Sequence, residues 1–477
     1  MTTPASNPEA VAALQAALAY AEDWLAYRAW KLRVPGVQYA VLFDGDVQLS
    51  GAIGLADVAA GTPLTTGHLF RVASHSKTFT ATAVLQLVEA GRLSLDARLG
   101  DLVSELAGAP VGAVAVRELL EHGGGVIRDG TDGDFWQLAR PFPDEAELLQ
   151  LARTDGTKGE PNERFTYSNI GYGLLGLVVA RVSGEGYNDY VRREIVGRLG
   201  LANTDPEWLP ERAADYATGY TGFETSLERR PIGHVDTRGL SAATGFTSTA
   251  EDLVRYLSAH RPGDDRLLTD ASKRLQQRAA WQTTPDKPES RRYGLGMALE
   301  TVAGRRVIGH SGGFPGYITF TLLAVDDGIA VSVLTNATDG PASELALGVL
   351  KLLDAGLRRR ALLPLAVPAE AGFAATSTAR FEGRFANLWG VLDIVRLGDR
   401  LLAIDPGAAD PLAAPDELAV VDDSTLRITA GDGFGSVGEL IHYTTDAGEI
   451  TSIRGGGGMT MWPFDLQGEP FPAPWPD

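Results

Sequence analysis

The hydrophobic pattern of this chain changes near residue 364, and this change limits the possible folds more than any other feature. Up to that point, strand-like runs lie at both ends of a long helical region. From about residue 380 the apolar residues occur instead in short β-type runs. Residues 364–378, between the two patterns, hold two prolines and many small residues, which is typical of a linker. The sequence therefore predicts a larger domain over residues 1–363, a linker over 364–378 and a smaller domain over 379–477.

The larger domain combines helices with the strands of a sheet. From Glu9 to about Leu32 the chain is rich in alanine and leucine at helical spacing, which predicts a long first helix. Val37–Phe43 and Val47–Gly54 flank an Asp-Gly-Asp turn and predict a hairpin. The chain is then mainly helical from about Thr82 to Arg255, and strand-like runs return from Arg305 to Ala337. This pattern predicts an α/β (α+β) domain with a helical region flanked by pieces of one sheet.

The smaller domain is predicted to be all-β. Its runs are short, closely spaced and separated by glycine and aspartate turns: GVLDIVRL, RLLAID, LAVVDD, TLRITA, GELIHYTT and EITSIR. Strands in this arrangement are typical of a small antiparallel barrel or sandwich.

Charge and composition exclude several classes of protein. The chain carries 42 Lys+Arg against 61 Asp+Glu, a formal net charge of −19, which excludes a general nucleic-acid binder because it could not neutralise a run of phosphates. It has no cysteine, which excludes disulfides, a thiol nucleophile and thiolate-bound metals. Neither an export signal nor a long apolar run is found, so we expect a cytoplasmic protein without a membrane partner. No metal or organic cofactor is implied.

Ser74 and Lys77 form the first candidate catalytic pair. They stand three residues apart at the start of a helical segment, so they are predicted to share one face of its first turn. A lysine can take the serine's proton once burial lowers its pKa from about 10.4, and the helix N-terminus offers N–H groups to a developing oxyanion. Of the six lysines, only Lys77 follows a serine at this spacing. The alternative is an ordinary helix start with a capping serine and a solvated lysine.

Two further motifs carry candidate site residues. In Tyr167-Ser168-Asn169, the tyrosine hydroxyl can relay a proton and the amide can donate and accept toward a substrate amide. His310-Ser311-Gly312-Gly313 lies between two predicted strands, where glycines let a backbone N–H approach a reacting carbonyl and the histidine can bind a carboxylate or carbonyl oxygen. Taken singly, the alternatives are a core tyrosine beside a capping asparagine, and a glycine-rich β-turn.

Together, Ser74-x-x-Lys77, Tyr167-x-Asn169 and His310-x-Gly312 resemble the motifs of the penicillin-recognising serine hydrolases. These include class C β-lactamases, D-aminopeptidases, D-Ala-D-Ala carboxypeptidases and related esterases. The resemblance extends over about residues 30–355, through segments such as AVRELLEHGGGV, GEPNERFTYSN, ATGFTSTAEDL and GHSGGFPGY. It implies a β-lactamase/transpeptidase-like fold, an antiparallel sheet with flanking helices and a helical subdomain. The C-terminal region, with FEGRF, is similar to the lipocalin-like barrels appended to some D-aminopeptidases.

The resemblance implies a role for each motif residue. Ser74 would be acylated, with Lys77 and Tyr167 sharing the general acid and base roles, and water would then hydrolyse the acyl-enzyme. The binding roles complete the set: Asn169, His310 and Gly312 would bind substrate, and the N–H groups of Ser74 and Gly313 would form the oxyanion hole.

The implied function is that of a serine hydrolase acting on small amides, D-amino-acid-containing peptides or short-chain esters. Two departures from the family pattern count against penicillinase activity: His310 replaces a common lysine, and His122-Gly123-Gly124-Gly125 replaces the usual His-Thr-Ser-Gly. The alternative is a penicillin-binding or sensor-type protein with little turnover. The expected partner is a small-molecule substrate, and a homo-oligomer is compatible with the sequence. We expect the C-terminal barrel to border the active site or to make subunit contacts.

A second nucleophile is conceivable. Gly309 to Gly313 matches the G-x-S-x-G elbow of α/β-hydrolases, with Ser311 as the nucleophile. A strand-like run rather than a helix follows it, however, and its only downstream histidine is His442 in the β-rich region.

Two ligand-binding patterns compete less well. Asp129, Asp132 and Asp134 could bind a cation, but their spacing misses the EF-hand pattern, and the alternative is a solvated acidic loop. Gly455–Gly458 follows a strand with no helix after it, which indicates a loop and not a phosphate cradle.

Overall fold

The computed structural model describes residues 8–224, 226–283, 291–357, 378–431, 437–455 and 459–466. All but Thr378 of the predicted linker lies outside the described residues, as do residues 456–458 of the glycine run. The chain forms two compact units. One spans Val34–Ala346, and the other combines the N-terminal helix with the chain after Ala346.

The first unit is built on an antiparallel sheet. Its strands, in chain order, are β1 Gly36–Phe43, β2 Asp46–Asp57, β3 Thr62–Pro63, β4 Phe70–Arg71, β5 Gly219–Tyr220, β6 Pro231–Ile232, β7 Thr247–Ser248, β8 Trp281–Gln282, β9 Arg292–Tyr293, β10 Ala298–Val302, β11 Arg305–Phe314, β12 Tyr317–Ala324 and β13 Ile329–Thr335. Nine of these form one sheet in the order β3-β2-β1-β13-β12-β11-β10-β9-β8. The other four form two small pairs, β4 with β7 and β5 with β6.

The centre of the sheet joins distant parts of the chain. Strand β1 pairs with β13 from Val37↔Thr335 to Phe43↔Ile329. Every residue of β13 is buried, and so are the first seven of the eight in β1, as expected for central strands covered on both faces. The predicted hairpin and late strands therefore belong to one sheet.

The helices, in chain order, are α1 Pro8–Lys31, α2 Ser76–Glu89, α3 Leu99–Leu102, α4 Val116–Leu120, α5 Glu145–Asp155, α6 Asn169–Ser183, α7 Tyr187–Val191, α8 Gly197–Leu199, α9 Ala250–Ser258, α10 Asp270–Gln276 and α11 Ala342–Leu357. Helices α2 to α10 belong to the unit that holds the sheet. Helix α9 packs on β1, β12 and β13. Helices α2 and α6 pack on each other and are buried along most of their length, so they form the core of the inserted region.

The second unit is a closed barrel with a helix against it. The barrel strands are β14 Gly383–Asn387, β15 Gly390–Leu397, β16 Arg400–Ile404, β17 Asp416–Asp422, β18 Thr425–Ala430, β19 Leu440–Asp446, β20 Glu449–Arg454 and β21 Thr460–Pro463. They close in chain order, with β14 beside β21, around Phe385, Leu426 and Ile453. Helix α1 contacts β15, and the Tyr20 hydroxyl donates to the buried Asp393 Oδ2 at 2.9 Å.

The fold prediction is confirmed. An antiparallel sheet with flanking helices and an inserted helical region is joined to an eight-stranded antiparallel barrel. Within the described ranges, no helix has both the length and the apolar character that crossing a membrane requires.

Candidate active site

Ser74 lies in a tight turn that leads into α2. A short 3₁₀ turn over Ala73–His75 precedes the helix, and Ala73 adopts the left-handed region with φ +47°. That conformation costs a non-glycine residue on the order of 1 kcal/mol, so the surroundings must hold it. The Ser76 hydroxyl donates to the Ala73 carbonyl at 2.5 Å, and a His75 ring nitrogen lies 2.8 Å from the Val72 carbonyl. The nucleophile candidate is thereby fixed at the N-terminal end of a buried helix.

Lys77 is fully buried beneath Ser74. Its Nζ lies 3.2 Å from Ser74 Oγ, 2.7 Å from Asn169 Oδ1 and 2.8 Å from the Ala243 carbonyl. Burial lowers the pKa of the Lys77 ammonium well below its usual value, opposed by the negative charge of Asp129. A neutral amine has two N–H donors and one lone pair. The Asn169 and Ala243 oxygens can only accept, so they take the two N–H groups of the amine. The lone pair of Lys77 Nζ is then left to accept from the Ser74 hydroxyl.

Tyr167 contacts the same serine from the other side. Its hydroxyl donates to Ser74 Oγ at 2.9 Å. Burial raises the pKa of the Tyr167 phenol above its usual value, while the hydrogen bond to Ser74 and the Arg128 charge lower it by less. The phenol therefore keeps its proton, and this side chain is an O–H donor and not a phenolate.

Asn169 is held by a carboxylate that sequence reasoning missed. Ser168 caps α6 by accepting from the Gly171 N–H at 2.8 Å, which places Asn169 in the first turn. The Asn169 Nδ2 donates to Asp129 Oδ1 at 2.7 Å, and Trp136 Nε1 donates to the same oxygen at 2.8 Å. The Asp129 side chain is 17% exposed, so it is part of the site and not a solvated loop residue. In the sequence Asp129 lies close to Asp132 and Asp134, so no pattern marked it as the partner of Asn169.

Strand β11 forms another wall of the site. Its pairing with β10 ends at Ala298↔Gly309, whereas its pairing with β12 continues to Phe314↔Tyr317. Among the described residues, His310–Gly313 thus has a strand on one edge only, and the other edge is available to a substrate backbone. Gly313 is exposed there. A side chain at Gly312 would put its Cβ 2.2 Å from the Val72 carbonyl, so only glycine allows the strand to approach the Ser74 turn this closely.

The His310 side chain is neutral, and both of its ring nitrogens contact other groups of the protein. One ring nitrogen lies 3.0 Å from the Tyr293 hydroxyl and the other 2.6 Å from the Ser311 carbonyl. Burial, with a smaller contribution from Lys77, lowers the pKa of His310 well below its usual value. This side chain does not supply the positive charge that a lysine at the same position would carry.

These elements enclose a cavity of about 360 Å³, lined by Ser74, Arg128, Asp129, Trp136, Tyr167, Asn169, His310, Ser311 and Gly313. The structure brings all the predicted site residues together. Lys77 and Gly312 do not line the cavity themselves. Lys77 contacts Ser74, which does, and Gly312 lies close to the Val72 carbonyl.

The competing patterns are not assembled for catalysis or metal binding. Ser311 lies inside β11 and is followed by β12, so the strand-turn-helix geometry of a nucleophile elbow is not formed there. Asp132 pairs with Arg140, and Asp134 accepts from Gln137. No group of three or more His, Cys, Asp or Glu side chains within the described ranges could hold a metal ion.

Comparison with known proteins assigns the family. The site joins a buried lysine and a tyrosine to one serine, and the family model described as Beta-lactamase matches residues 12–355. The chain belongs to the beta-lactamase family. It is 29% identical over 324 residues to "Penicillin-binding protein 4*" of Bacillus subtilis, an alignment that covers 64% of this chain and 68% of the relative.

Two solved structures are similar in fold. The D-amino acid amidase from Ochrobactrum anthropi SV3, complexed with D-phenylalanine, is 26% identical with a TM-score of 0.58, and the match covers 72% of this chain and 99% of the amidase. The octameric penicillin-binding protein homologue from Pyrococcus abyssi is 24% identical with a TM-score of 0.64, and that match covers 93% of this chain and 99% of the homologue. The second match extends beyond the part that the family model covers.

Proposed function

We propose that this chain hydrolyses small amides, D-amino-acid-containing peptides or short-chain esters in two steps, through an acyl-enzyme on Ser74. The observation that carries the proposal is the set of three contacts around the buried Lys77 Nζ. They suit an unprotonated amine whose lone pair faces the Ser74 hydroxyl.

In the first step, Ser74 Oγ bonds to the substrate carbonyl carbon and its proton passes to Lys77 Nζ. The carbonyl oxygen becomes an oxyanion, for which the backbone N–H groups of Ser74 and Gly313 are the proposed donors. As the tetrahedral intermediate collapses, the bond to the leaving nitrogen or oxygen breaks and Tyr167 gives that atom its hydroxyl proton. In the second step, water attacks the ester carbonyl carbon and gives a proton to the Tyr167 phenolate. The bond to Ser74 Oγ then breaks, and Lys77 returns its proton to Ser74 as the acid is released.

The electrostatics of the cavity favour substrates without a carboxylate beside the scissile bond. His310 is neutral with both nitrogens bound inside the protein, so β11 offers no cation of the kind a β-lactam carboxylate would pair with. The exposed Arg128 lies 3.0 Å from the Asp129 carboxylate, which offsets its charge. The similarity to a D-amino acid amidase supports amides as the first substrate class to test.

A panel of substrates tests the proposal. Wild type, Ser74→Ala and Ser311→Ala would be assayed on p-nitrophenyl butyrate, the p-nitroanilides of D- and L-alanine, D-phenylalaninamide and a cephalosporin, with intact-mass detection of the acyl-enzyme. We expect turnover and a Ser74 adduct in wild type and Ser311→Ala, and neither in Ser74→Ala. Stoichiometric acylation without turnover would instead support a penicillin-binding protein, and loss of activity only in Ser311→Ala would refute the proposal.

We also propose that the chain self-associates. The penicillin-binding protein homologue from Pyrococcus abyssi is octameric, and the match to it covers almost the whole of this chain. Analytical ultracentrifugation over a range of concentrations tests this point, and a monomer at all concentrations would contradict it.

A further inference from the structure

In the sequence, His75 lies between the candidate nucleophile Ser74 and the candidate base Lys77, yet it has no role in the chemistry proposed above. It is buried, and its ring contacts the sheet. One ring nitrogen, Nδ1, lies 2.8 Å from the Val72 carbonyl, at the start of the Ser74 turn. The other, Nε2, lies 3.0 Å from Thr321 Oγ1 on β12. The imidazole therefore links the turn to the sheet.

The tautomer follows from the partners. A carbonyl oxygen can only accept, so Nδ1 carries the hydrogen and donates to Val72, and Nε2 accepts from the Thr321 hydroxyl. Burial lowers the pKa of His75 to about 4, so the ring stays neutral at and above neutral pH and keeps this donor and acceptor pattern. On the sheet side, Thr321 Oγ1 lies 2.9 Å from Ser332 Oγ on β13, which fixes the threonine rotamer.

Strand β11 passes directly beneath this link. Gly312 pairs with Thr319, and His310 with Thr321, so these four residues share one face of the sheet. A Cβ placed on Gly312 would lie 3.0 Å from His75 Nδ1. The Val72 carbonyl at 2.2 Å, Thr319 Oγ1 at 2.4 Å and the His75 ring thus enclose the position of the missing Gly312 side chain, one residue before the proposed oxyanion donor Gly313.

We propose that His75 is a positioning residue that sets the distance between the Ser74 turn and β11, and so aligns the two halves of the oxyanion hole. The two N–H groups belong to separate elements, Ser74 to the turn before α2 and Gly313 to the sheet. His75 is bonded to both elements. The inference rests on the proposed function, because the oxyanion hole matters only for acyl transfer.

The chain offers a matched control. His260 is also fully buried and has its pKa lowered to about 4, its Nδ1 lies 3.3 Å from the Tyr256 carbonyl, and its Nε2 lies 3.1 Å from Thr82 Oγ1. It makes the same two kinds of contact as His75, but its partners lie on α2 and α9 and not on the Ser74 turn and β12. Replacing either ring by valine removes a similar structural link, and only one of the two links leads to the oxyanion hole.

The test compares His75→Val with His260→Val. The readouts are kcat and KM on the best substrate of the panel, and the second-order rate at which a fluorophosphonate labels Ser74. For His75→Val we expect kcat and the labelling rate to fall about 10²-fold with KM within threefold, since a displaced oxyanion donor acts on the transition state. For His260→Val we expect a lower Tm and rates within threefold of wild type. Equal effects of the two variants would overturn the proposal.

Milder variants keep the test decisive if His75→Val does not fold. In His75→Asn the amide Nδ2 can still donate to Val72 but cannot reach Thr321, and Thr321→Val removes the same bond from the other side. We expect each to slow labelling by about tenfold, and the double variant to be no slower than either one. Additive losses, or none, would show that the link does not position the site.

The labelling rate separates this inference from the proposed function. Labelling of Ser74 in a wild-type chain that turns over nothing would refute the hydrolase proposal, while the ratio of labelling rates between His75→Val and His260→Val would still decide the role of His75. Turnover that is unchanged in His75→Val would refute the inference and leave the hydrolase proposal standing.

Discussion

Lys77 is the residue on which the proposed chemistry depends, and its environment makes a pH profile informative. Its ammonium form is disfavoured by burial, supported by the negative charge of Asp129 and opposed by the positive charge of Arg128. Only the neutral amine can accept the Ser74 proton, so kcat/KM should rise with pH through the Lys77 pKa and reach a plateau well below pH 10.5.

Charge substitutions should move that rise in opposite directions. Asp129→Asn keeps an oxygen to accept from Asn169 and Trp136 but removes the negative charge, so the Lys77 pKa falls and the rise moves to lower pH. Arg128→Gln removes the positive charge, so the rise moves to higher pH. The measurement is kcat/KM from pH 5 to 10 for the three chains. Shifts in the same direction would contradict the assignment of the rise to Lys77.

Tyr167 gives a second prediction, because an O–H donor matters most for a poor leaving group. Tyr167→Phe should lower kcat/KM, which reports acylation, on an anilide or amide by roughly 10²- to 10⁴-fold and on a p-nitrophenyl ester by much less, since nitrophenolate leaves without a proton. Tyr187→Phe is the control. Its hydroxyl is also buried and lies 2.6 Å from Thr80 Oγ1, but it does not line the cavity. Equal losses on amide and ester would exclude Tyr167 as the acid.

At the scale of elements, the contact between α1 and α11 depends on a glycine. A Cβ on Gly348 would lie 2.2 Å from the ring of Trp24, which is itself fully buried. Gly348→Ala should therefore lower the free energy of unfolding by about 1–3 kcal/mol despite the better helix propensity of alanine. In a Trp24→Leu background the added methyl group has room, so the same change should cost less there. Urea unfolding of the four chains measures the coupling, and additive effects would contradict the clash.

The same scale shows what sequence patterns can and cannot predict. The hairpin β1–β2, the strands from Arg305 onward and the first helix were all predicted, because each follows from the spacing of nearby apolar and turn residues. The pairing of β1 with β13 was not, since register between strands about 300 residues apart has no local signal. Asp129 was missed for the same reason. Its partners Asn169 and Trp136 are assigned by the fold and not by spacing.

The residues that form the candidate site were predicted from the sequence, but their detailed geometry was not. Ser74, Lys77, Tyr167, Asn169, His310 and Gly313 meet at one cavity or beneath it, although their roles remain predictions. The neutral state of His310 and the link made by His75 could not be predicted, because both depend on burial and on partners in other elements. The domain limits at residues 363 and 379 also remain a prediction.

At the scale of the whole molecule, the unit that holds the barrel includes the N-terminal helix. Asp393, which is 2% exposed, accepts from Tyr20 on that helix and from Arg384 beside it on the barrel. Asp393→Ala leaves a mostly buried guanidinium without this carboxylate and should cost about 3–5 kcal/mol of unfolding free energy. Asp326→Ala, which breaks the exposed pair with Arg306, should change it little. Equal effects by urea unfolding would contradict the structural role of Asp393.

Deleting residues 379–477 should therefore damage more than the barrel. The deletion removes the partner of Tyr20 and the Gly407 carbonyl that accepts from Arg28 at 2.5 Å, so one face of α1 becomes exposed. We expect the shortened chain to bind more of a hydrophobic dye than the full chain and to aggregate in size-exclusion chromatography. A monodisperse fragment with normal dye binding would show that α1 needs no barrel.

The central place of β1 in the sheet has a consequence for synthesis of the chain. Its neighbour β13 is synthesised roughly 300 residues later. At a translation rate of about 5–20 residues per second, β1 therefore lacks this partner for about 15 to 60 s. During that interval the β1–β2 hairpin presents one open apolar edge. The nascent chain is therefore most prone to aggregate before Ile329–Thr335 emerges.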